Sequence, residues 1–216
     1  NDTNSVLLGL IAELYADQGL ADLYRQTFYR PLGITAITLP EEGLPWHPDV
    51  FSDQGNKVTI PKIAMPYGIY RNPSGEVSDF GNMVQSAPWE FGYYVAGQGR
   101  IRYACCGIVS TPENMARWAY ELFSPKGSAV SAEVRAQLSR SFREATISLA
   151  GTPQKYGFHI ALKEHQLSDG SYVTTYGHPG GGGGYSSALF YAPSLDLAIS
   201  ILTNSDLGQL LGTCAN

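Results

Sequence analysis

Charge is scarce in this sequence. Only 15% of its 216 residues are Asp, Glu, Lys or Arg, with a net charge of −5, where an ordinary globular chain carries roughly a quarter. It has no basic block and no arginine-rich helix, which argues against nucleic acid as a partner. No apolar run is long enough to cross a membrane as a helix. Cysteine is limited to three residues. Cys105 and Cys106 are adjacent, and Cα atoms about 3.8 Å apart are too close for a relaxed disulfide. Both read as small buried residues. Neither Cys-x-x-Cys nor His-Glu-x-x-His occurs, so no metal site and no cofactor is expected. No signal peptide is visible, the first residue is not Met, and "NDTNSVLLGL" runs straight into a helical pattern. The chain therefore reads as cut from something longer, and its compartment stays unknown.

Apolar residues, by contrast, make up 44%, a globular composition with ample material for a core. Residues 4–17 carry Val6, Leu7, Leu10, Ile11 and Leu14 at helical spacing, with Gly19 as the stop. Residues 20–29 form a second helix ended by Pro31 and Gly33, so 1–33 reads as a helical hairpin. Seven prolines break up residues 34–100, a long loop or lid region. Trp46, Tyr67, Tyr70, Trp89, Phe91, Tyr93 and Tyr94 hang from it. They either line a ligand cleft or pin the loop to the body, and both readings stand. Residues 101–140 hold helices. In "GIVSTPENMARWAYELF", Ser110 and Glu113 make a capping box and Pro112 sits in the first turn. A shorter helix spans 131–139. From Tyr156 the rhythm alternates: "YGFHIALKE", "SYVTTYG", "SSALFYA" and "LAISILTN" read as about four antiparallel strands over 156–204, with Asp169-Gly170 as one turn and "PSLD" as another. Helices first and a meander last imply an α+β fold.

Five consecutive glycines, Gly180 to Gly184, interrupt this meander. A phosphate loop requires a lysine and a following helix; here Tyr185-Ser186-Ser187 and a strand follow. A linker fits poorly between strand-like flanks. What remains is close approach: a strand without side chains lets a ligand lie against it, and an exposed N–H there can stabilise an oxyanion. His178 would stand at the mouth of that groove, able to supply a proton or a charge, although many histidines are only satisfied hydrogen bonders. His47, His159 and His165 belong to no constellation.

"GHPGGGGGYSSALFYAPSLDLAISILTN" resembles the closing strands of the serine β-lactamase and penicillin-binding-protein superfamily, in particular class C β-lactamases and their esterase and peptidase relatives. His178-Pro179-Gly180 takes the place of the family's Lys-Thr-Gly or His-x-Gly triplet. "YACCGIVSTPENMARWAYELF" is similar to the family's small-residue stretch and helix start. "NDTNSVLLGLIAELYADQGLADLYRQTFYRPLGI" resembles the helical segment after its Tyr-x-Asn motif. The three blocks occur in family order and cover about half of the residues. The resemblance implies acyl transfer through a serine acyl-enzyme. Gly181 would give an oxyanion-hole N–H, His178 would orient substrate or base, and Asp2 would take the asparagine position. Gly180 and Gly182 would keep the groove wall open, with Tyr185 and Ser186 following it. The family's nucleophile motif Ser-x-x-Lys does not occur in these residues. Pro179 replaces a usual Thr or Ser and lacks its hydroxyl, which weakens the case for a β-lactam carboxylate. The resemblance makes a periplasmic or extracellular setting natural.

Three functions compete. One is part of a serine hydrolase for a small-molecule or peptide substrate. Another is a non-catalytic binding or scaffolding domain that keeps the fold. The third is a carbohydrate- or peptide-binding module built on the tyrosine-rich loop. In the family, N-terminal strands pair with the closing meander. If that N-terminal segment is missing a sheet edge is bare, so the isolated chain is expected to form a homo-oligomer, swap strands or fold poorly. The closing "DLGQLLGTCAN" reads as the start of a packing helix.

Overall fold

A computed structural model describes residues 2–38, 69–71, 77–79, 103–105, 108–144, 155–182 and 185–203. They fall into two compact units that divide after Ser110. The tyrosine-rich loop aromatics, apart from the backbone of Tyr70, lie outside the described residues, as do His47, Cys106, Cys214 and the closing eleven residues.

The first unit opens with α1 (Asp2–Ala16). Asp17, in the left-handed region at φ 50°, ends it. Gly19 is instead extended and caps α2 (Leu20–Tyr24). The hairpin is tied by the Leu20 N–H, which donates to Glu13 Oε1 at 2.7 Å. A π-helical turn, Arg25–Tyr29, leads into α3 (Arg30–Leu32). Pro31 was expected to end the helix but lies within it. A proline ring clashes with the carbonyl four residues back, and the wider turn just before it relieves that clash. Gly33, at φ 62°, makes the stop. Leu20, Ala21, Tyr29, Leu32 and Ile34 form the core here. The stripe read on α1 is not a core face: Leu7, Leu10, Ile11 and Leu14 are 48 to 79% exposed. Four short strands are described in this unit. They are β1 (Ala36–Thr38), β2 (Ile69–Arg71), β3 (Val77–Asp79) and β4 (Ile108–Ser110), with β2 paired to β3 and β1 to β4, both antiparallel.

The second unit begins with α4 (Pro112–Phe123). Its cap is Thr111, whose hydroxyl accepts from the Asn114 N–H at 3.2 Å. Ser110, the expected cap, ends β4 and donates its hydroxyl to the Thr35 carbonyl at 2.9 Å. Helix α5 (Ala132–Arg140) starts at Ser131, which accepts from the Val134 N–H at 3.2 Å. Arg135 joins the two helices, donating to the carbonyls of Leu122, Gly127 and Val130.

Then comes an antiparallel sheet of β5 (Arg143–Glu144), β6 (Lys155–Gly157), β7 (Ile160–Gln166), β8 (Tyr172–Gly182), β9 (Tyr185–Ala192) and β10 (Leu197–Thr203). The strands lie side by side in chain order. The fold is thus α+β. "YGFHIALKE", read as one strand, is two: Phe158 and His159, at φ 45° and 60°, make a two-residue hairpin turn. Such turns normally advertise themselves with Asn-Gly, and this one does not. The turn at Asp169-Gly170 forms as read, with Gly170 at φ 83° and Asp169 Oδ1 accepting from the Ser171 N–H and hydroxyl.

One sheet face packs on α4 through aromatic rings. Phe123 lies 5.9 Å from Tyr176 and 6.1 Å from Tyr191, and Tyr120 meets Tyr191 edge-on at 6.3 Å. Phe142 stacks on Tyr176 at 5.3 Å. Tyr191 is 1% exposed; burying a ring of that size contributes about 1.5–3 kcal/mol, provided its hydroxyl finds a partner. That partner is Asp196 in the β9–β10 turn. Its carboxylate accepts from Tyr191 and Ser124 at 2.8 Å each, from Lys126 at 2.6 Å and from Tyr120 at 3.3 Å.

Candidate functional site: an open strand edge

The first three glycines of the run lie inside a strand. β8 continues through His178 to Gly182, paired to β9 as His178↔Leu189, Pro179↔Ala188, Gly180↔Ser187, Gly181↔Ser186 and Gly182↔Tyr185. On its other side β8 pairs with β7 only as far as Gly177, opposite Ala161. Beyond Gly177, among the described residues, no strand pairs with that side of β8.

The direction of each main-chain group follows from register. The Leu167 N–H donates to the Ser171 carbonyl at 2.8 Å, so 167 and 171 form a hydrogen-bonded pair. Such pairs recur every second residue in an antiparallel ladder. Val173, Thr175 and Gly177 therefore turn their N–H and C=O toward β7, and Pro179 and Gly181 turn theirs to the same side, past the last β7 partner. Pro179 has no N–H. Between His178 and Gly182, the N–H donor on this edge is that of Gly181.

The glycines differ in what they require. A Cβ at Gly177 would lie 2.7 Å from the Phe190 ring and closer still to the Leu189 carbonyl, so packing excludes a side chain there. A Cβ at Gly181 would meet nothing nearer than the Tyr185 carbonyl, at 3.8 Å, an ordinary contact. Neither its conformation nor, among the described residues, any neighbour requires glycine at this position.

His178 is exposed, and its Nδ1 is hydrogen-bonded to the Pro179 carbonyl. A carbonyl only accepts, so Nδ1 carries the proton and the neutral ring keeps its lone pair on Nε2. The ring also meets Tyr156, from β6, edge-on at 5.7 Å. Tyr156 in turn meets His159 of the hairpin turn at 6.3 Å. Reading the sequence missed Tyr156, because nothing in "KYGFHIAL" reveals that β6 and β8 come together where β7 ends.

Tyr185 is half-buried, and burial pushes its phenol up to about 12; it is a neutral hydrogen-bonding group and no base at neutral pH. Ser186, opposite Gly181, is buried, and its carbonyl accepts from Thr203 Oγ1 at 3.4 Å. His165, left without a constellation from sequence, is bonded to Thr175 Oγ1 at 2.9 Å and packs on Phe190. Asp2 opens α1 in the first unit with its side chain outside the described residues, and Gly183 and Gly184 lie outside them too. Among the described residues no group of three or more His, Cys, Asp or Glu could hold a metal, and no helix is long and apolar enough to cross a membrane.

The sequence model of the family described as Beta-lactamase matches residues 1–211. Among solved structures, the chain is similar to a D-amino acid amidase from Ochrobactrum anthropi SV3 complexed with L-phenylalanine amide, with 20% identity and a TM-score of 0.68 over 95% of this chain and 49% of that one. It is also similar to a D-stereospecific amidohydrolase from Streptomyces sp., with 18% identity and a TM-score of 0.62 over 95% and 50%. SurE gives 19% and 0.62 over 99% and 43%. The chain thus spans about half the length of these structures. A search of curated proteins finds no match.

Proposed function

The chain belongs to the Beta-lactamase family, and from that premise we propose that it forms the oxyanion-binding wall of a serine hydrolase working through an acyl-enzyme on an ester, amide or β-lactam carbonyl. The observation that carries the reading is Gly181: an N–H on a strand edge with no strand paired to it among the described residues, at a position where a Cβ would meet no described atom nearer than 3.8 Å.

In this reaction a serine Oγ bonds to the substrate carbonyl carbon and the carbonyl electron pair moves onto oxygen. The leaving alkoxide or amine departs with the proton taken from serine, and water repeats the sequence to release the acid. The Gly181 N–H faces the oxygen as its charge develops, and the nucleophile's own N–H is the second donor. Loss of one such donor typically costs roughly 10²–10³ in rate. His178, with Nδ1–H held by Pro179, offers Nε2 to a substrate N–H or to the ammonium of the catalytic lysine. Gly180 and Gly182 leave the wall free of side chains, and Tyr185 and Ser186 follow it. With no hydroxyl at Pro179 to grip a β-lactam carboxylate, esters and amides are favoured over β-lactams. The likeness to a D-amino acid amidase adds D-amino amides and peptides to the substrates to be tried.

A second reading, a non-catalytic binding or scaffolding domain, is favoured by one observation: no Ser-x-x-Lys occurs in the 216 residues. Intact-mass spectrometry separates the two. The chain, and a longer protein in which a Ser-x-x-Lys segment precedes it, are exposed to a fluorophosphonate and separately to a penicillin. The longer protein is expected to gain a covalent adduct and this chain none. Gly181→Ala in the longer protein should leave stability within about 0.5 kcal/mol and slow labelling ~10²-fold by displacing the carbonyl. An unlabelled longer protein favours the binding domain, and labelling of this chain alone places the nucleophile elsewhere.

A further inference from the structure

We propose that Tyr156 is the positioning residue for His178, holding the imidazole over the open edge of β8 in the tautomer that leaves Nε2 available. This rests on the reading of His178 as a site residue, but its geometry is independent of which carbonyl is attacked.

His178 occupies a place where an imidazole has few restraints. Its own strand neighbours are Gly177 and Pro179, and the next three residues are glycines. Among the described residues β7 supplies no partner opposite it, since pairing stops one residue earlier. An exposed histidine in such surroundings samples several rotamers, and a group that must meet a reacting atom loses rate with each wasted one. Two contacts restrict it: Nδ1 to the Pro179 carbonyl, and the ring to Tyr156 at 5.7 Å with 74° between planes. Edge-to-face pairs of this kind attract beyond their area burial, which favours one rotamer.

Tyr156 is itself well held. It pairs with Ala161 of β7, which pairs with Gly177 of β8. Directly opposed residues share a sheet face, so the tyrosine's neighbours across the sheet, Ala161 and Gly177, are small; His178 follows Gly177 just past the last β7 pairing, and the Tyr156 ring meets it there. The ring also packs edge-on against His159 at 6.3 Å, whose left-handed backbone at φ 60° is locked in a two-residue turn. Non-glycine residues in that region are costly and persist where the surroundings enforce them. The hairpin tip, Tyr156 and His178 thus form a short chain of ring contacts that ends at the edge carrying Gly181.

The test is NMR on the chain with ¹⁵N,¹³C-labelled histidine. Wild type should show an NOE between the Tyr156 ring and the His178 ring, and the proton of the neutral imidazole should sit on Nδ1. Tyr156→Phe keeps the ring and should keep both signatures. Tyr156→Leu should abolish the ring-current shift on His178 and move its tautomer toward the Nε2–H form, while the β8–β9 amide shifts hold. The proposal is overturned if wild type lacks the NOE, or if Tyr156→Leu folds and leaves the His178 shift and tautomer unchanged. Should Tyr156→Leu not fold, the wild-type NOE and the tautomer in Tyr156→Phe still decide. None of these signals depends on acylation, so a protein that fails the labelling experiment leaves this result standing on its own.

Discussion

Asp196 shows how much one side chain can organise. It sits in the left-handed region at φ 47°, a conformation that Asp tolerates better than most residues. From there its carboxylate reaches the end of α4 and the buried hydroxyl of Tyr191 together. The Lys126 ammonium, then the Ser124 and Tyr191 hydroxyls, hold it well below the usual carboxylate range. A depressed folded-state pKa contributes stability that is fully present above the unfolded value, about 3.9, and is lost as pH falls through the folded value. Asp196→Asn keeps the shape and removes the charge. It should lower Tm at pH 7 and flatten the acid limb of Tm against pH below about pH 4, as read by differential scanning calorimetry. An Asn variant with an unchanged acid limb would assign that limb to other carboxylates. From sequence, "PSLD" was visible as a turn; that its Asp gathers four donors from 70 or more residues upstream and from β9 was not, since nothing local signals them.

At the scale of elements, local chemistry and tertiary context divide the legible from the hidden. The Asp169-Gly170 turn, the helix read over 131–139 and the strand read in "SYVTTYG" all follow from short-range rules, and the structure keeps them. Where two adjacent residues satisfied the same rule, the neighbour strand decided: Ser110 is occupied by β4 contacts, so Thr111 caps α4. The Phe158-His159 turn is invisible because its residues are the wrong type for their backbone. That mismatch is itself testable. Phe158 is 69% exposed, so little packing is lost on replacement. Phe158→Asn should raise unfolding free energy by about 0.5–1 kcal/mol, since Asn enters the left-handed region more readily than Phe. Urea denaturation reads it, and a variant less stable than wild type would mean that the Phe158 ring has a contact worth more than the strain. The candidate site was half legible in the same sense. The glycine wall and His178 stood out by type, but the edge exists because the pairing of β7 with β8 stops at Ala161, and the Tyr156 contact exists because β6 lies near. Both are facts of pairing and not of composition.

For the whole molecule, the balance of apolar surface matters most. β10 is the last strand of its sheet, and among the described residues no strand pairs with its outer side. Along it Leu197, Ile199 and Ile201 are 46, 46 and 42% exposed, alternate residues of one face. An open strand edge bordered by such an apolar face is a template for another chain, and the formal charge of −5 is small opposition when salt screens it. The isolated chain should therefore associate. Light scattering coupled to size exclusion should show a mass rising above the 23.4 kDa monomer as concentration increases. Ile199→Lys puts a charge at the middle of the strand, the device natural edges use against pairing, and should return the mass toward that of the monomer with the far-UV spectrum unchanged. If wild type stays monomeric across the concentration range, the edge is satisfied within the chain. If both proteins associate equally, the contact lies elsewhere, and the exposed leucines of α1 are the next surface to charge.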